Sequence, residues 1–334
     1  MIRVAINGYG RIGRIAFREM ITSRVFDVVA INDLSTPEEI AHLIKYDTIH
    51  RSFHKNEIGF DENNIIISGK KKIRVFKEMD PINLPWQELN IDLVLECTGK
   101  FTDYEGAYKH ITSGAKKVLI SAPGKGDMKT IVNGVNNDKL DGTEKIVSAS
   151  SCTTNCLAPL LKIINDNFII KKGFMTTVHS LTNDQVTLDI AHKKGIYSRR
   201  GRSAFQNIIP TSTGAASSIG KVIPDLNGKM DGISYRVPTT DGSLIDVTLE
   251  LSKKTSVDEI NNIIKDNASD AIDITKDPIV SSDIIGVNLG CLVDANLTNI
   301  ITSNEEQLVK LVAWYDNEYG YTCQMLKVAK DMFK

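Results

Sequence analysis

The sequence has no excess of charge of either sign, since 40 lysines and arginines stand against 41 aspartates and glutamates, a net charge of −1. A chain without a global positive charge has no general attraction for nucleic acid or for an anionic membrane. It also lacks an apolar run long enough to span a bilayer. We therefore expect neither nucleic acid nor a membrane as a partner.

Cysteine is scarce too, with only five residues scattered along the chain. An odd number in apolar surroundings is more typical of a reducing compartment than of a disulfide framework. The N-terminus leads directly into a strand pattern, without the basic and apolar segments of a signal peptide. These features predict a cytoplasmic protein, and no pattern in the sequence predicts a metal site.

The 334 residues are too many for one ordinary core, so two domains are expected. In the first half, short β-branched strands that are apolar on both faces alternate with amphipathic helical stretches, such as residues 15–23 and 36–45. This alternation predicts an α/β fold with a doubly wound parallel sheet, a Rossmann-like dinucleotide-binding domain. Its predicted strands are residues 3–6, 28–32, 93–96, 118–121 and 146–149.

After about residue 150 the pattern changes to longer strands, several of which alternate apolar and polar residues. Ser256 and Glu259 have the spacing of a capping box at the start of a helix. An α+β domain built on a mostly antiparallel sheet is therefore predicted, with a C-terminal helix over residues 319–333. Its predicted strands are residues 173–180, 230–237, 244–251 and 309–315.

The hexad Gly8-Tyr9-Gly10-Arg11-Ile12-Gly13 has the pattern G-x-G-x-x-G, which is weak evidence alone but lies here between a strand and a helix. In such a loop the first glycine makes the tight turn and the second lets the backbone approach a pyrophosphate, while the third lets helix and strand pack closely. The diphosphate then lies on the helix N-terminus. This context favours a dinucleotide site over a purely structural turn.

Asp33 ends the next predicted strand, twenty residues after Gly13. At that position a carboxylate can accept hydrogen bonds from the adenosine ribose hydroxyls, and its charge would repel a 2′-phosphate. The residues therefore favour NAD over NADP as the cofactor.

Cys152 follows the last strand of the first half, at the predicted N-terminus of a helix, where the helix dipole stabilises a thiolate. A free cysteine is commonly a small buried apolar residue, but the junction between a cofactor domain and a second domain favours a nucleophile. Cys156, one helical turn later, is interpreted as structural, with redox coupling to Cys152 as the alternative.

A nucleophilic cysteine needs a base or an imidazolium partner. Of the six histidines, His179 fits best, because it ends an apolar strand and is followed by polar residues. His50 and His54 lie in a charged loop and are interpreted as solvated. The sequence thus predicts a catalytic pair of Cys152 and His179.

Over essentially its whole length the chain resembles the phosphorylating, glycolytic glyceraldehyde-3-phosphate dehydrogenases of bacterial type. The most specific match is Ser151-Cys152-Thr153-Thr154-Asn155-Cys156. The resemblance implies oxidation of D-glyceraldehyde 3-phosphate to 1,3-bisphosphoglycerate with NAD and inorganic phosphate, through a thiohemiacetal and a thioester on Cys152, in a homotetramer. The other matching segments are residues 7–14, 179–185, 210–216, 236–239 and 314–320.

The resemblance also implies a role for each matching position. Cys152 would be the nucleophile, His179 its base, and Thr182 and Arg236 the site of the substrate phosphate. Asn317 would hold the nicotinamide carboxamide, so the C-terminal helix would return to the first domain, which gives domains of residues 1–150 plus 316–334 and 151–315. The cofactor contacts would be Gly8, Gly10, Arg11, Ile12, Gly13, Asp33, Ser121 and Asn317, and the substrate and phosphate contacts would be Ser151, Thr153, Thr182, Arg202, Thr213, Gly214 and Arg236.

A basic run over residues 193–202 supplies cations in a chain that is otherwise neutral. Arg202 precedes a hydroxyl-rich turn and is assigned to the phosphate site, whereas Lys193 and Lys194 are interpreted as part of a solvated loop. The run Lys70-Lys71-Lys72 has no such neighbour and is predicted to lie on the surface.

Three alternatives are considered. Acyl-phosphate reductases such as aspartate-semialdehyde dehydrogenase share the fold but would not be expected to carry residues 179–182 or 314–320 as they stand here. Erythrose-4-phosphate dehydrogenases share the fold, the cysteine motif and the histidine, but those relatives lack the threonine matching Thr182 and the pair matching Thr213 and Gly214. A cofactor-binding protein with a non-enzymatic role, such as surface adhesion, would not need the complete catalytic set. NADH production from glyceraldehyde 3-phosphate and from erythrose 4-phosphate, each measured with and without phosphate, distinguishes these functions.

Overall fold

The structure, a computed structural model, describes residues 1–69, 71–193 and 195–334. Lys70 and Lys194 of the two predicted surface runs lie outside the described residues. The described chain divides into two compact units, and the division separates Gln324 from Met325, whereas the sequence prediction assigned residues 316–334 to the first domain. The first unit comprises Met1–Ile131, Asn137–Ser151 and Met325–Lys334, and the second Val132–Asn136 and Cys152–Gln324.

The first unit is built on a doubly wound sheet. Its strands are β1 (Ile2–Asn7), β2 (Phe26–Asn32), β3 (Ile58–Phe60), β4 (Asn64–Ile67), β5 (Lys71–Phe76), β6 (Leu93–Glu96), β7 (Lys117–Ile120), β8 (Lys129–Thr130) and β9 (Ile146–Ser148), and its helices are α1 (Arg11–Thr22), α2 (Pro37–Lys45) and α3 (Tyr104–Thr112). In the described residues the strand order is β3-β4-β5-β2-β1-β6-β7-β9-β8. Every neighbouring pair is parallel except β3–β4 and β4–β5, so the predicted α/β class is confirmed.

Burial and capping explain these elements locally. Val4, Ala5 and Ile6 of β1 are fully buried, because helices cover both faces of a doubly wound sheet. Helix α2 begins with a complete capping box, in which Thr36 Oγ1 accepts from Glu39 N at 3.3 Å and Glu39 Oε2 accepts from Thr36 N at 2.7 Å. Because the parallel strands run in the same direction, their carboxyl ends lie at one edge of the sheet, where the cofactor residues were predicted.

The second unit contains the mostly antiparallel sheet that the sequence predicts. Its strands are β10 (Ile170–His179), β11 (Ile209–Ser212), β12 (Met230–Arg236), β13 (Ser243–Leu251), β14 (Ile272–Thr275), β15 (Cys291–Asp294), β16 (Asn299–Ser303) and β17 (Glu306–Tyr315). In the described residues the order is β11-β12-β10-β13-β17-β15-β14, with β16 paired to β17. Only β10–β12 and β14–β15 are parallel among these strand pairs.

The remaining helices are α4 (Cys152–Phe168), α5 (Ile219–Val222), α6 (Val257–Asp266) and α7 (Tyr319–Asp331). Helix α4 contributes a row of buried apolar side chains to the core of the second unit, including Leu157, Leu160 and Ile164. This packing fixes the N-terminus of α4, where Cys152 lies. No described helix is both long and apolar enough to cross a membrane.

The predicted capping box of α6 forms only in part. Ser256 Oγ accepts from Glu259 N at 3.2 Å, as expected. The Glu259 carboxylate, however, accepts from Thr255 Oγ1 at 2.8 Å. A neighbouring hydroxyl donor therefore takes the place of the N-cap backbone donor.

Candidate active site

The glycine loop between β1 and α1 has the geometry of a phosphate cradle. A Cβ on Gly8, whose φ is +92°, would lie 2.7 Å from Thr98 N, and a Cβ on Gly13 would lie 2.1 Å from Gly8 O. At Gly10, in contrast, a Cβ would meet no atom within 4 Å, and no side chain caps the helix that follows. Gly8 and Gly13 are thus required for packing, while Gly10 leaves open space at the N-terminus of α1, where an anion can approach the helix.

Asp33 connects this loop to the end of β2. Its Oδ2 accepts from Tyr9 N at 2.7 Å and its Oδ1 from Ser35 N at 2.9 Å. Each carboxylate oxygen keeps a further lone pair for a ligand hydroxyl. Ser121 follows β7 at the same edge of the sheet, where its hydroxyl donates to Glu96 O at 3.0 Å.

Arg11 begins α1, but its guanidinium is already paired with Asp47. Besides a short contact, Arg11 Nη2 donates to Asp47 Oδ1 at 3.1 Å. Burial opposes ionisation of Asp47, but hydrogen bonds from Arg11 and from the backbone outweigh it and lower the pKa of this carboxyl to about 2. Arg11 and the half-buried Ile12 therefore offer the cradle their backbone, and the Arg11 side chain fixes the loop that holds Asp47.

Cys152 and His179 come together in the second unit. Cys152 is the first residue of α4 and His179 the last of β10, so two separate elements each place one reactive group. Cys152 Sγ lies 3.4 Å from His179 Nε2. This distance allows direct proton transfer between the thiol and the imidazole.

Burial controls the ionisation of both groups. It raises the pKa of the Cys152 thiol, against the opposing effects of the Arg236 charge and of hydrogen bonds at Thr153. Burial, together with the nearby charge of Arg236, lowers the pKa of His179 to about 3. The resting pair is therefore a neutral thiol beside a neutral imidazole. Desolvation of the sulfur thus opposes the thiolate that a helix N-terminus favours.

His179 Nδ1 lies within hydrogen-bond distance of one acceptor and one donor. The nitrogen lies 2.8 Å from Ser180 O, which can only accept, and 2.7 Å from Arg236 Nη1, which can only donate. One nitrogen cannot satisfy both at once, so the contacts belong to alternative tautomers. When Nδ1 donates to Ser180 O, the lone pair of Nε2 faces Cys152 and the imidazole can act as a base.

Arg236 lies beside His179 because the parallel register of β10 and β12 pairs these two residues. Its Nη1 is 3.3 Å from Thr182 Oγ1, and its buried Nε has no hydrogen-bond partner in the described part of the chain. A half-buried guanidinium whose hydrogen-bond partners are neutral groups is suited to bind an anion. Thr182 and Arg236 thus lie together, near the end of β10, the strand that carries His179.

Of the arginines in the basic run, Arg200 reaches this cluster, and the sequence analysis did not select it. Its Nε donates to Thr211 Oγ1 at 3.1 Å, and its Nη1 is bonded to Asp184. Thr182 Oγ1 donates to the other oxygen of Asp184 at 2.5 Å. Arg202 instead forms an ion pair with Asp189, in which the side chains are 66% and 55% exposed.

The other predicted residues occupy varied environments. Thr153 is buried, and its Oγ1 lies 2.9 Å from Tyr315 Oη, a partner that no local sequence pattern predicts. Ser151 precedes α4, and Thr213 Oγ1 accepts from Ala215 N at 3.2 Å. A Cβ on Gly214 would meet no atom within 4 Å, so this backbone is open to approach.

Asn317 precedes α7 and is buried against two serine hydroxyls. Ser180 Oγ donates to its Oδ1 at 2.7 Å and Ser243 Oγ at 2.6 Å. Ser243 was not selected by the sequence analysis, because a serine that begins an ordinary strand has no distinctive local pattern. The register of the sheet places it beside Ser180.

A dinucleotide cradle and a cysteine–histidine pair with an anion-binding arginine define an NAD-dependent, aldehyde-oxidising class of enzyme. The comparisons with known proteins agree. Residues 2–104 match the family described as "Glyceraldehyde 3-phosphate dehydrogenase, NAD binding domain", and residues 151–317 match its "C-terminal domain". The chain belongs to the glyceraldehyde-3-phosphate dehydrogenase family, which confirms the resemblance.

Individual relatives support this over the full length. Proteins named glyceraldehyde-3-phosphate dehydrogenase from Clostridium acetobutylicum and Clostridium pasteurianum are 53% and 52% identical over 327 residues. One of the same name from Streptococcus pyogenes serotype M3 is 48% identical over 332 residues. In each case the match covers 98% of this chain and 97% of the relative.

Proposed function

We propose that this chain oxidises D-glyceraldehyde 3-phosphate to 1,3-bisphosphoglycerate, with NAD and inorganic phosphate as co-substrates. The observation that carries the proposal is the 3.4 Å approach of Cys152 Sγ to His179 Nε2, next to an anion-binding pair formed by Arg236 and Thr182. A nucleophile, a base and a phosphate site in one cluster suit an aldehyde that carries a phosphate.

The residues of the first unit fit NAD. The open space at Gly10 admits a pyrophosphate that the helix N-terminus would bind, and Asp33 presents two oxygens to the adenosine ribose. Gly8, Gly13 and the backbone of Arg11 and Ile12 shape this cradle. Ser121 and Asn317 stay proposed cofactor contacts, and residues 1–150 with 316–334 stay the proposed cofactor domain.

The first chemical step belongs to Cys152 and His179. The thiol proton passes to His179 Nε2 while Sγ adds to the aldehyde carbon, and the resulting oxyanion is stabilised by His179 and by the Cys152 N–H. His179 Nε2 returns this proton to the oxyanion, which gives the neutral thiohemiacetal, and then removes it again as the carbon loses a hydride and becomes a thioester. Bound NAD supplies the acceptor for the hydride that this oxidation releases.

The second step is phosphorolysis of the thioester. An oxygen of inorganic phosphate attacks the acyl carbon, the C–S bond breaks, and Sγ regains its proton from His179. Arg236 and Thr182 hold the phosphate of the substrate. For the attacking phosphate, Ser151, Thr153, Thr213, Gly214 and Arg202 stay the proposed contacts, and we add Arg200, which is bonded to both Thr211 and Asp184.

One assay tests this proposal. Purified protein with NAD and phosphate should produce NADH from glyceraldehyde 3-phosphate much faster than from erythrose 4-phosphate, and removal of phosphate should stop turnover unless arsenate replaces it. Faster turnover of erythrose 4-phosphate would favour the alternative enzyme. No NADH from either aldehyde would contradict the proposed activity and favour a non-enzymatic role.

We also propose a cytoplasmic homotetramer. Large apolar side chains stay exposed in residues 188–208, among them Ile196 at 82% and Tyr197 at 97%. An exposed apolar group of this size is typical of a surface that another subunit covers. Light scattering coupled to gel filtration should give four times the monomer mass, and a monomer would contradict this proposal.

A further inference from the structure

Ser180, Ser243 and Asn317 form a buried polar cluster in the second unit, at the ends of β10 and β13 and just before α7. Their side chains are almost completely enclosed, with exposures of 0%, 1% and 5%. The Asn317 Oδ1 atom accepts from Ser180 Oγ at 2.7 Å and from Ser243 Oγ at 2.6 Å. Both lone pairs of this oxygen are therefore used by hydroxyl donors.

The amide could in principle be turned over, with its nitrogen facing the two serines. Counting hydrogens decides between the two orientations. Ser243 Oγ already accepts from Ser180 N at 3.0 Å. If Nδ2 donated to both hydroxyls, each hydroxyl hydrogen would need a new acceptor. Within the cluster the available contact is the 3.4 Å one between the two hydroxyls, which can satisfy one hydrogen and leaves the other without a partner.

The observed orientation satisfies every group in the cluster except one. With Oδ1 facing the serines, both hydroxyl hydrogens and both Oδ1 lone pairs are used. Asn317 Nδ2 makes no hydrogen bond within the residues that the structure describes, and it is not among the fully enclosed polar atoms. The cluster therefore presents one donor of fixed direction, and a ligand that approaches it forms a hydrogen bond only if it offers an acceptor.

We propose that Ser180 and Ser243 are positioning residues for the nicotinamide, because they fix the Asn317 amide so that Nδ2 donates to the carbonyl oxygen of the cofactor carboxamide. This inference rests on the proposed function only in taking Asn317 as a cofactor contact. By fixing the orientation of the Asn317 amide, the two hydroxyls favour a ligand group that accepts a hydrogen bond from Nδ2. A ligand group that can only donate would be disfavoured at this position.

Ser180 also connects this cluster to the catalytic base. Its backbone oxygen lies 2.8 Å from His179 Nδ1, while its side chain holds Asn317. One residue thus orients both the base and the amide. Because the two contacts use different atoms, an alanine at position 180 removes the amide contact and keeps the carbonyl that faces His179.

The test measures ligand affinity by calorimetry with the full chain, independently of turnover. The variants are Ser180→Ala, Ser243→Ala and the double substitution, and the ligands are NAD and ADP-ribose, which lacks the nicotinamide. We expect the double variant to bind NAD about five- to tenfold more weakly, as loss of one oriented hydrogen bond predicts, with ADP-ribose affinity unchanged. Equal losses for both ligands, or no loss for either, would overturn the proposal.

A control and a second cofactor sharpen the test. Ser203→Ala also removes a buried serine hydroxyl, one that donates to Thr187 O at 2.8 Å, and should leave the ratio of the two affinities unchanged. The 3-acetylpyridine analogue of NAD keeps the carbonyl oxygen but lacks the amide NH2, so the serine variants should weaken it as much as they weaken NAD. If the serine substitutions leave the affinity for the 3-acetylpyridine analogue unchanged while the affinity for NAD falls, Asn317 accepts a hydrogen bond from the cofactor and the proposal is wrong.

Two results separate this inference from the proposed function. If the wild type oxidises glyceraldehyde 3-phosphate but the serine variants leave NAD affinity unchanged, only the positioning role fails. If the wild type binds NAD and the variants lose affinity for it selectively while neither aldehyde is oxidised, the positioning role stands and the proposed reaction fails. If the double variant does not fold, each single variant must still show a selective loss for NAD, of about two- to fivefold.

Discussion

Alanine at Gly10 and alanine at Gly13 should separate cofactor binding from folding stability. A Cβ at Gly13 would lie 2.1 Å from Gly8 O and 3.3 Å from Ile6 Cγ2, so the helix or the loop must shift. A Cβ at Gly10 would meet no atom within 4 Å, and the φ of −71° at this residue is open to any side chain. Alanine at Gly13 therefore disturbs packing, whereas alanine at Gly10 only places a methyl group in open space.

The magnitudes follow from these contacts. Overpacking costs roughly 1–3 kcal/mol, and Gly13→Ala should lie in the upper part of this range because the atom it meets belongs to the backbone and cannot rotate away. At Gly10 the lower entropy of the unfolded chain offsets the poorer helix N-cap, so the free energy of unfolding should change by less than about 1 kcal/mol. The Gly10 methyl group would, however, fill the space that a pyrophosphate approaches, which should weaken NAD binding by at least about tenfold.

Urea denaturation without NAD measures the first quantity and calorimetric titration with NAD the second. Gly59→Ala is the matched control in the same unit, because its Cβ would lie 3.8 Å from Ile66 Cβ, an ordinary contact. The control should change neither quantity appreciably. Wild-type NAD affinity in Gly10→Ala would refute the assignment of this loop, and wild-type stability in Gly13→Ala would refute the packing argument.

Three further predictions concern the second unit. His179→Asn should slow alkylation of Cys152 by iodoacetamide at neutral pH by about tenfold or more, because the thiol loses its base, and an unchanged alkylation rate against pH would exclude that role. Burial next to Asp316 and Glu318 holds the pKa of Asp241 well above its usual range. The folded state therefore binds this proton more tightly than the unfolded state. The free energy of unfolding therefore falls as pH rises from about 4 towards the raised pKa. Between pH 5 and pH 8, urea denaturation should show a smaller fall for Asp241→Asn than for the wild type. An equal fall in the two proteins would contradict the raised pKa of Asp241. Tyr315→Phe removes a buried hydroxyl between two threonine hydroxyls, at 2.9 and 2.8 Å, and should cost about 1–3 kcal/mol in urea denaturation, whereas wild-type stability would show that these bonds contribute little.

The sequence allowed the parallel core of the first unit to be predicted, because strands that are buried on both faces are continuously apolar. It did not predict strands β3 to β5, which follow one another between polar turns, form the antiparallel pairs β3–β4 and β4–β5, and carry the exposed Lys72. For α6, the spacing of Ser256 and Glu259 predicted the N-terminus correctly but not the partner of the carboxylate. That partner depends on Thr255, whose hydroxyl competes at close range.

At the candidate site, local patterns were sufficient for residues next to glycine turns or helix ends. Cys152 and His179 each have such a signal, and the structure brings them within 3.4 Å. Within a run of neighbouring arginines no turn or helix end distinguishes one residue from the next, so the sequence does not show which side chain points to the site. Arg200 reaches Asp184 and Thr211, whereas Arg202 lies in an exposed ion pair. Ser243 depends on strand register in the same way, which only the folded sheet defines.

The central claim is that Cys152 carries the substrate as a thioester that phosphate then releases. Mixing the protein with NAD and glyceraldehyde 3-phosphate in the absence of phosphate, followed by mass spectrometry of the peptide that contains Cys152, tests this directly. We predict a burst of NADH of up to one equivalent per chain and a phosphoglyceroyl group on Cys152 that disappears when phosphate is added. Steady NADH production without phosphate and without an acyl group on Cys152 would contradict the account.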